Sequence, residues 1–390
     1  MFALIVTVWR VEESRSDNAT PPDWAGFVLL TLGLVTFVYG LIRAGETSWS
    51  DTGVITCIVA GVLLLVAFGV TEARVAHPMF DLGLFRVPTF AGGSIAAFAM
   101  NGSLYAVLLY FVIYLQDVLG YSALGTGLRV AILSLAQLAT SVVAGRVSER
   151  VPARWLIGPG LLLVGIGLLV MTGISGVSNW THLVPGFIVA GLGAGLVNPP
   201  LASTAIGVVP PAKAGMASGV NSTFRQIGIA AGIAALGSIF VSSIQSHLSS
   251  ALPASLAGSA GTMVNAVRQG SVSAAIGSLP GADRAAAGLA LRSSFASALN
   301  ELLYVTAGVA LVGAVCATVL IRRKDFHRPD AAAVPAGAGR AAETVLGDCV
   351  TVVRGRPGTL ADPARVFRGV CRRTLRCALR AVIRRLEPGR

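Results

Sequence analysis

An all-α, polytopic membrane protein is the fold class this sequence predicts, and three observations predict it. The chain has 390 residues, 54% hydrophobic and only 12% charged, against about 25% charged in soluble domains. Its mean hydropathy is +0.75. Eight runs reach the roughly 20 apolar residues that a helix needs to cross a bilayer. The basic residues then fall in every second short loop, the pattern that orients membrane helices.

The elements follow in order. "MFALIVTVW" (1–9) is too short to span and lacks the basic start and small-residue cleavage site of a signal peptide. It reads as the last turns of a helix whose beginning is missing, so 1–24 is a stub and a loop. The spans are 25–43, 53–72, 90–115, 126–145, 155–174, 183–206, 218–241 and 301–321. Residues 242–300, rich in Ser, Ala and Gly and broken by "SLPGAD", read as an extramembrane loop with weak helix.

Arg10 and Arg15, Arg74 and Arg86, Arg146, Arg150 and Arg154, Lys213, and Arg322, Arg323 and Lys324 occupy alternate loops. The opposite loops, "GETSWSDTG", "DVLGYSALG" and "SGVSNWTHL", hold no Lys or Arg. The start of the chain and its C-terminus are therefore expected in the cytoplasm. Of 30 basic residues 28 are Arg, a GC-rich coding bias of the bacterial kind, so the expected location is a bacterial plasma membrane.

The net charge of +12 belongs to the tail. Residues 322–390 hold 16 Arg/Lys against 6 Asp/Glu, whereas 1–321 hold 14 against 12. Five scattered cysteines without C-x-x-C spacing and four scattered histidines give no disulfide framework or metal site. No G-x-S-x-G, H-E-x-x-H or Walker motif occurs. "GLGAG" (191–195) lacks the G-x-G-x-x-G spacing and follows no strand, so it reads as helix packing. Neither an enzyme nor a cofactor is expected.

The chemistry lies in polar residues inside apolar runs. "VNSTFRQIGIAAGIAALG" (220–237) carries Asn221, Arg225 and Gln226. Arg225 lies about seven residues beyond the start of its span, roughly 10 Å deep, and an intramembrane Arg is costly without a purpose. Two readings stand open: Arg225 snorkels to the headgroups, or it faces, with Gln226, an inner cavity or a neighbouring helix. Gly228 and Gly232, four apart, would form a close-packed face. Asn101, Gln116, Gln137 and Asn198 are the other polar groups within spans, with Gln116 and Asn198 the better cavity candidates; helix–helix hydrogen bonding is the alternative for each. Pro199-Pro200 should kink the sixth span, and Arg129 sits at an outer rim. Glu72, Asp117 and Glu301 stand at span ends, so no carboxylate lies deep in the membrane.

"AGRVSERVPAR" (144–154) joins the fourth and fifth spans. It reads either as ordinary anchoring or as a gating loop, with Gly145 allowing close helix approach and Glu149 pairing with Arg150 and Arg154. G-R-V-S-E-R-V-P-A-R (145–154) resembles the G-x-x-x-D-R-x-G-R-R loop of the major facilitator superfamily, with Glu149 for Asp and Pro152 for Gly. "DWAGFVLLTLGLVTFVYGL" (23–41), "HPMFDLGLFRVPTF" (77–90), "YFVIYLQDVLGYSALGTGL" (110–128), "GLGAGLVNPPLASTAI" (191–206) and "PPAKAGMASGVNSTFRQIGIAAGIA" (210–234) follow in order. Together they resemble the 14-helix drug:proton antiporters of that superfamily.

The resemblance implies an organisation. The stub would end the sixth helix, 25–72 would be two linker helices, and 73–321 the C-terminal six-helix bundle. The chain would then be a half-transporter with linkers and a basic tail, 322–390. Implied too is efflux of lipophilic or cationic small molecules by proton antiport, with partners that are the lipid bilayer, the substrate, the proton gradient and a missing N-terminal bundle. A non-transporting fragment or accessory membrane protein is the alternative. The acidic coupling groups of such exporters lie mainly in the first bundle, so no residue here is assigned to coupling.

The tail changes composition. "PARVFRGVCRRTLRCALRAVIRRLE" (363–387) spaces Val366, Val370, Ala378, Val382 and Leu386 helically among eight arginines. An amphipathic helix on the inner leaflet, out-of-frame translation of GC-rich DNA, and nucleic-acid binding stand as alternatives, the last without motif support; no nucleic acid is expected as a partner.

Overall fold

The computed structural model describes residues 23–46, 49–75, 82–148, 150–210, 213–252, 261, 263–264 and 281–326. The expectations for the 1–9 stub, Glu149 and the 327–390 tail lie outside the described residues. Eight long helices run through the described chain: α1 (Trp24–Glu46), α2 (Thr52–Glu72), α3 (Pro88–Val118), α4 (Ala123–Val147), α5 (Arg154–Val170), α6 (Val184–Gly207), α7 (Ala214–Ala251) and α8 (Gly281–Leu320). Seven are long and apolar enough to cross a membrane; α5 is apolar but has 17 residues. The expected all-α bundle is what forms.

Local chemistry explains the ends. Asp23 accepts from Gly26 N at 2.9 Å and opens α1. Asp51 accepts from Val54 N at 3.1 Å and opens α2, and Ser122 accepts from Gly125 N at 3.2 Å and opens α4. Each satisfies a backbone donor that the first turn leaves free. Gly120 and Gly173 take φ of 74° and 84°, a region easy only for glycine, and they turn the chain after α3 and α5.

α1 and α2 form a hairpin that packs through α1 on α7. Their approach is close: a Cβ on Gly61 would stand 2.7 Å from Phe37 N. α6 lies between α4 and α5, α5 packs on α8, and α3 packs on α7 and α8. The Lys/Arg-bearing loops cluster where α3 begins and α8 ends; this is called the basic end below, and the other the far end.

Two features depart from a simple bundle. α3 is α-helical over Pro88–Met100 and Ala106–Ile113, but takes π turns over Asn101–Tyr105 and Tyr114–Val118. The second departure corrects the loop expected over 242–300. α7 has 38 residues and α8 has 40, about 57 and 60 Å at 1.5 Å per residue, nearly twice a hydrocarbon core of about 30 Å. Residues 242–251 and 281–300 are helix, and both helices run on beyond span length at the far end. Serine hydroxyls there bond back to their own helix, Ser250 to His247 O at 2.9 Å and Ser294 to Ala290 O at 2.7 Å, and burial of Ile244, Leu248, Leu291, Phe295 and Leu299 holds the Ser-rich stretch helical.

At the basic end the chain leaving α8 folds back on α3. Asp325 accepts from Thr89 N at 3.3 Å and from Thr89 Oγ1 at 2.7 Å, and Thr89 Oγ1 in turn accepts from Arg322 N at 2.8 Å.

Candidate functional site: a polar cluster across four helices

The site grows from a defect in α6. Pro199 and Pro200 lack N–H groups, so the helix cannot complete its ladder there. The Gly195 carbonyl, which would have paired with residue 199, accepts instead from Ser141 Oγ of α4 at 3.3 Å. α4 can come this near because Gly191 and Gly195 present only backbone: a Cβ on Gly195 would stand 2.5 Å from Gln137 O. The "GLGAG" stretch is therefore a packing face, with Gly193 turned the other way to the Gly160 carbonyl of α5.

Beside the prolines, Asn198 donates from Nδ2 to Ala194 O at 3.2 Å and accepts at Oδ1 from Arg225 Nη1 of α7 at 3.3 Å. Asn221, one turn before Arg225 on α7, accepts from Arg225 Nε at 3.2 Å. The guanidinium is thus held sideways, between α7 and α6, by two neutral amide oxygens. Arg225 itself is half-buried and Asn221 buried. No ion pair joins Arg225 to a carboxylate among the described residues.

Tyr105 completes the arrangement. The π turn of α3 carries it to α4, where Gln137 Nε2 donates to its hydroxyl at 3.0 Å and the hydroxyl donates to Gln137 Oε1 at 3.3 Å. The π turn abuts α7: a Cβ on Gly228 would stand 2.7 Å from Phe98 O, and one on Gly232 2.6 Å from Gly102 O. Gly228 and Gly232 form the close-packed face that their spacing implied.

The structure therefore brings together Asn198, Asn221 and Arg225, and adds Tyr105 and Gln137. Other candidates fall elsewhere. Asn101 is buried and donates to Ala97 O of its own helix at 2.7 Å. Gln116 is half-buried in the far π turn of α3, and Gln226, one residue on from Arg225, is exposed. Gly145 meets nothing within 4 Å of an added Cβ, so the close approach expected there is not made. Arg150 and Arg154 are exposed; Arg154 lies 5.2 Å over the Trp155 ring, and neither pairs with a carboxylate among the described residues. At the far end the Arg129 guanidinium stacks 3.6 Å from the Tyr121 ring centroid and 4.9 Å from that of Trp180.

Reasoning from the sequence missed Tyr105, because a tyrosine in an apolar run carries no signal until a π turn aims it. It also missed Asn300, which accepts from Gly173 N and Ile174 N at 3.0 and 3.1 Å and donates to Ile174 O at 2.8 Å, securing the loop after α5.

Amides and a guanidinium thus sit between apolar helices long enough to cross a membrane. Residues 24–233 match the Major Facilitator Superfamily; the chain belongs to that family and is a multi-pass membrane protein. It is 32% identical over 256 residues to the multidrug resistance protein Stp of Mycobacterium tuberculosis, an alignment covering 65% of this chain and 48% of that one. It is 31% identical over 252 residues to the puromycin resistance protein pur8 of Streptomyces alboniger, covering 64% and 50%. With the tetracenomycin C resistance and export protein of Streptomyces glaucescens it shares 28% identity over 350 residues, covering 87% and 64%. The chain thus spans about half the length of the first two of these relatives. A bacterial homologue of the human lysosomal transporter Spinster, solved in an inward-facing, occupied conformation, shares the fold with a TM-score of 0.50 at 16% identity, over 77% of this chain and 70% of that one.

Proposed function

We propose that this chain is the second bundle, with two linker helices, of a proton-driven exporter of small lipophilic compounds, antibiotics and cationic drugs among them, and that it works as part of a longer transporter. The observation that carries the reading is the polar cluster joining α3, α4, α6 and α7 within an apolar bundle. Transport by alternating access needs a polar site between helices of two bundles that rock about it, and polar residues held inside spans mark such a pathway. The relatives named for drug resistance and export support the substrate class. α1 and α2 suit a linker role because α2 packs chiefly on α1, leaving Val59, Leu63 and Val66 exposed. We place the basic end on the cytoplasmic face of a bacterial plasma membrane, and give Glu149, Arg150 and Arg154 the gating loop there. No residue of this chain is assigned to coupling export to protons; Glu72, Asp117 and Glu301 stand at span ends.

A second reading, a non-transporting accessory fragment, is favoured by one feature: α4 packs chiefly on α6 and leaves Leu124, Leu128, Leu135 and Leu138 exposed. The test is expression in a bacterium stripped of its own exporters, as residues 1–390 alone and fused behind the first six helices of a longer relative. Resistance to a lipophilic antibiotic from the fusion, lost on Arg225→Ala or Asn198→Ala at unchanged membrane levels, supports export. Resistance from neither protein supports the accessory reading, and resistance from 1–390 alone would sink the requirement for a further bundle.

A further inference from the structure

The Arg225 cluster is half of a charge pair. A guanidinium has five N–H donors and no acceptor. In the structure Nε engages Asn221 and Nη1 engages Asn198, which leaves three donors without a partner among the described residues. Both bound oxygens belong to neutral amides, so they fix the plane of the guanidinium without neutralising it. Tyr105 and Gln137 bond each other.

From Pro88 to Leu252 the sequence holds Asp117 and Glu149, α8 adds Asp283 and Glu301, and the α1–α2 hairpin adds Asp23, Glu46 and Glu72; no ion pair joins any of them to Arg225 among the described residues. Asp117 lies in the far turn of α3, twelve residues past Tyr105, or about 18 Å along the helix. Glu149 follows Gln137 by twelve residues of sequence and comes after the end of α4. The described part of α7 carries no carboxylate. The side chain turns back one turn along α7 to Asn221 and reaches across to Asn198 of α6, and it remains half-buried there.

From this we infer that Arg225, aimed by Asn198 and Asn221, is a binding site for an acidic oxygen group, a carboxylate or an ionised phenol, carried by a lipophilic compound. Two parallel N–H donors of a guanidinium match the two oxygens of a carboxylate. The inference narrows the substrate class of the proposed exporter and rests on that reading only for the occupant being cargo. At the cluster itself the fixed positive charge favours the acidic members of that class over the cationic ones. Because an arginine does not deprotonate in proteins, the preference for a carboxylate is insensitive to pH above the carboxylate's own titration.

The experiment measures binding, so it needs no transport. The full 390-residue chain is purified into phosphatidylcholine nanodiscs and titrated with three probes sharing one ring system: 1-pyrenebutyrate, 1-pyrenebutanol and 1-pyrenebutylammonium. Fluorescence anisotropy is read against empty discs. The expected result is that the carboxylate binds at least tenfold tighter than the ammonium, with the alcohol between them, equally at pH 6.5 and 8.5. Arg225→Gln then removes the preference, and Arg225→Lys, which keeps the charge but loses the planar fork, retains part of it. A wild-type ratio near one overturns the site whatever the variants do, and so does a preference that survives in Arg225→Gln. A charge preference here with no resistance from any fusion protein would sink the export reading and leave this site standing; resistance without the preference would do the reverse.

Discussion

Two contact regions of the bundle are built from different materials. At the far end the core is aromatic: Tyr110 and Phe240 centroids are 5.0 Å apart, Phe240 and Phe295 4.8 Å, and Tyr114 and Phe295 5.9 Å. Nearer the basic end, helices meet through Gly191, Gly195, Gly228 and Gly232, and amides and Arg225 sit between them. Large rings fill the space where helices stand apart and bury much area each, whereas glycines let backbones approach closely and leave interhelical hydrogen bonds in reach. One chain thus uses two rules of cohesion, and the second coincides with the part proposed to bind cargo.

The comparison can be broken in order of expected effect. Phe295→Ala removes a fully buried ring from the aromatic core, and a loss of about 3–5 kcal/mol is expected, read as a large drop in thermal midpoint in detergent. Gly232→Val pushes a branched side chain into the Gly102 backbone and should cost about 1–3 kcal/mol; a midpoint equal to wild type would refute the glycine seam. Asp325→Ala frees the first turn of α3 and should cost about 0.5–2 kcal/mol, with faster deuterium uptake confined to residues 88–92 and 320–326. The smallest effect belongs to the exposed His247–Glu301 pair, 3.1 Å apart. His247→Ala should change stability by less than about 1 kcal/mol, and a bigger loss would show that the far-end extensions depend on charge rather than packing.

Much of this was legible. Apolar length gave the helices, and the four-residue spacing of Gly228 and Gly232 gave a real seam. A guanidinium in an apolar run did mark the polar cluster, and Asn198 beside two prolines belonged to it. Gln116 did not join, because span membership says nothing about height: it lies in the far π turn, a bundle's length from Arg225 in its helix order. Tyr105 was hidden because π turns shift the helical register and leave no periodic trace. The far-end helices were hidden by composition, Ser and Ala reading as loop, yet Ile244 and Leu248, then Ala287, Leu291, Phe295 and Leu299, recur at four-residue intervals and are all buried. Periodicity carried that signal where hydropathy averaged it away.

The tie between Thr89 and Asp325 carries one more consequence. It places the entrance of the bundle and its exit at a single corner, so a chain joined before α3 and a chain joined after α8 start from neighbouring points. Whatever is appended at either end, a partner bundle or a tail, is attached at one hinge post. Such a unit can be cut elsewhere and rejoined across that corner, and a permuted chain opened between α7 and α8 should assemble the same cluster from the same helices in a new order.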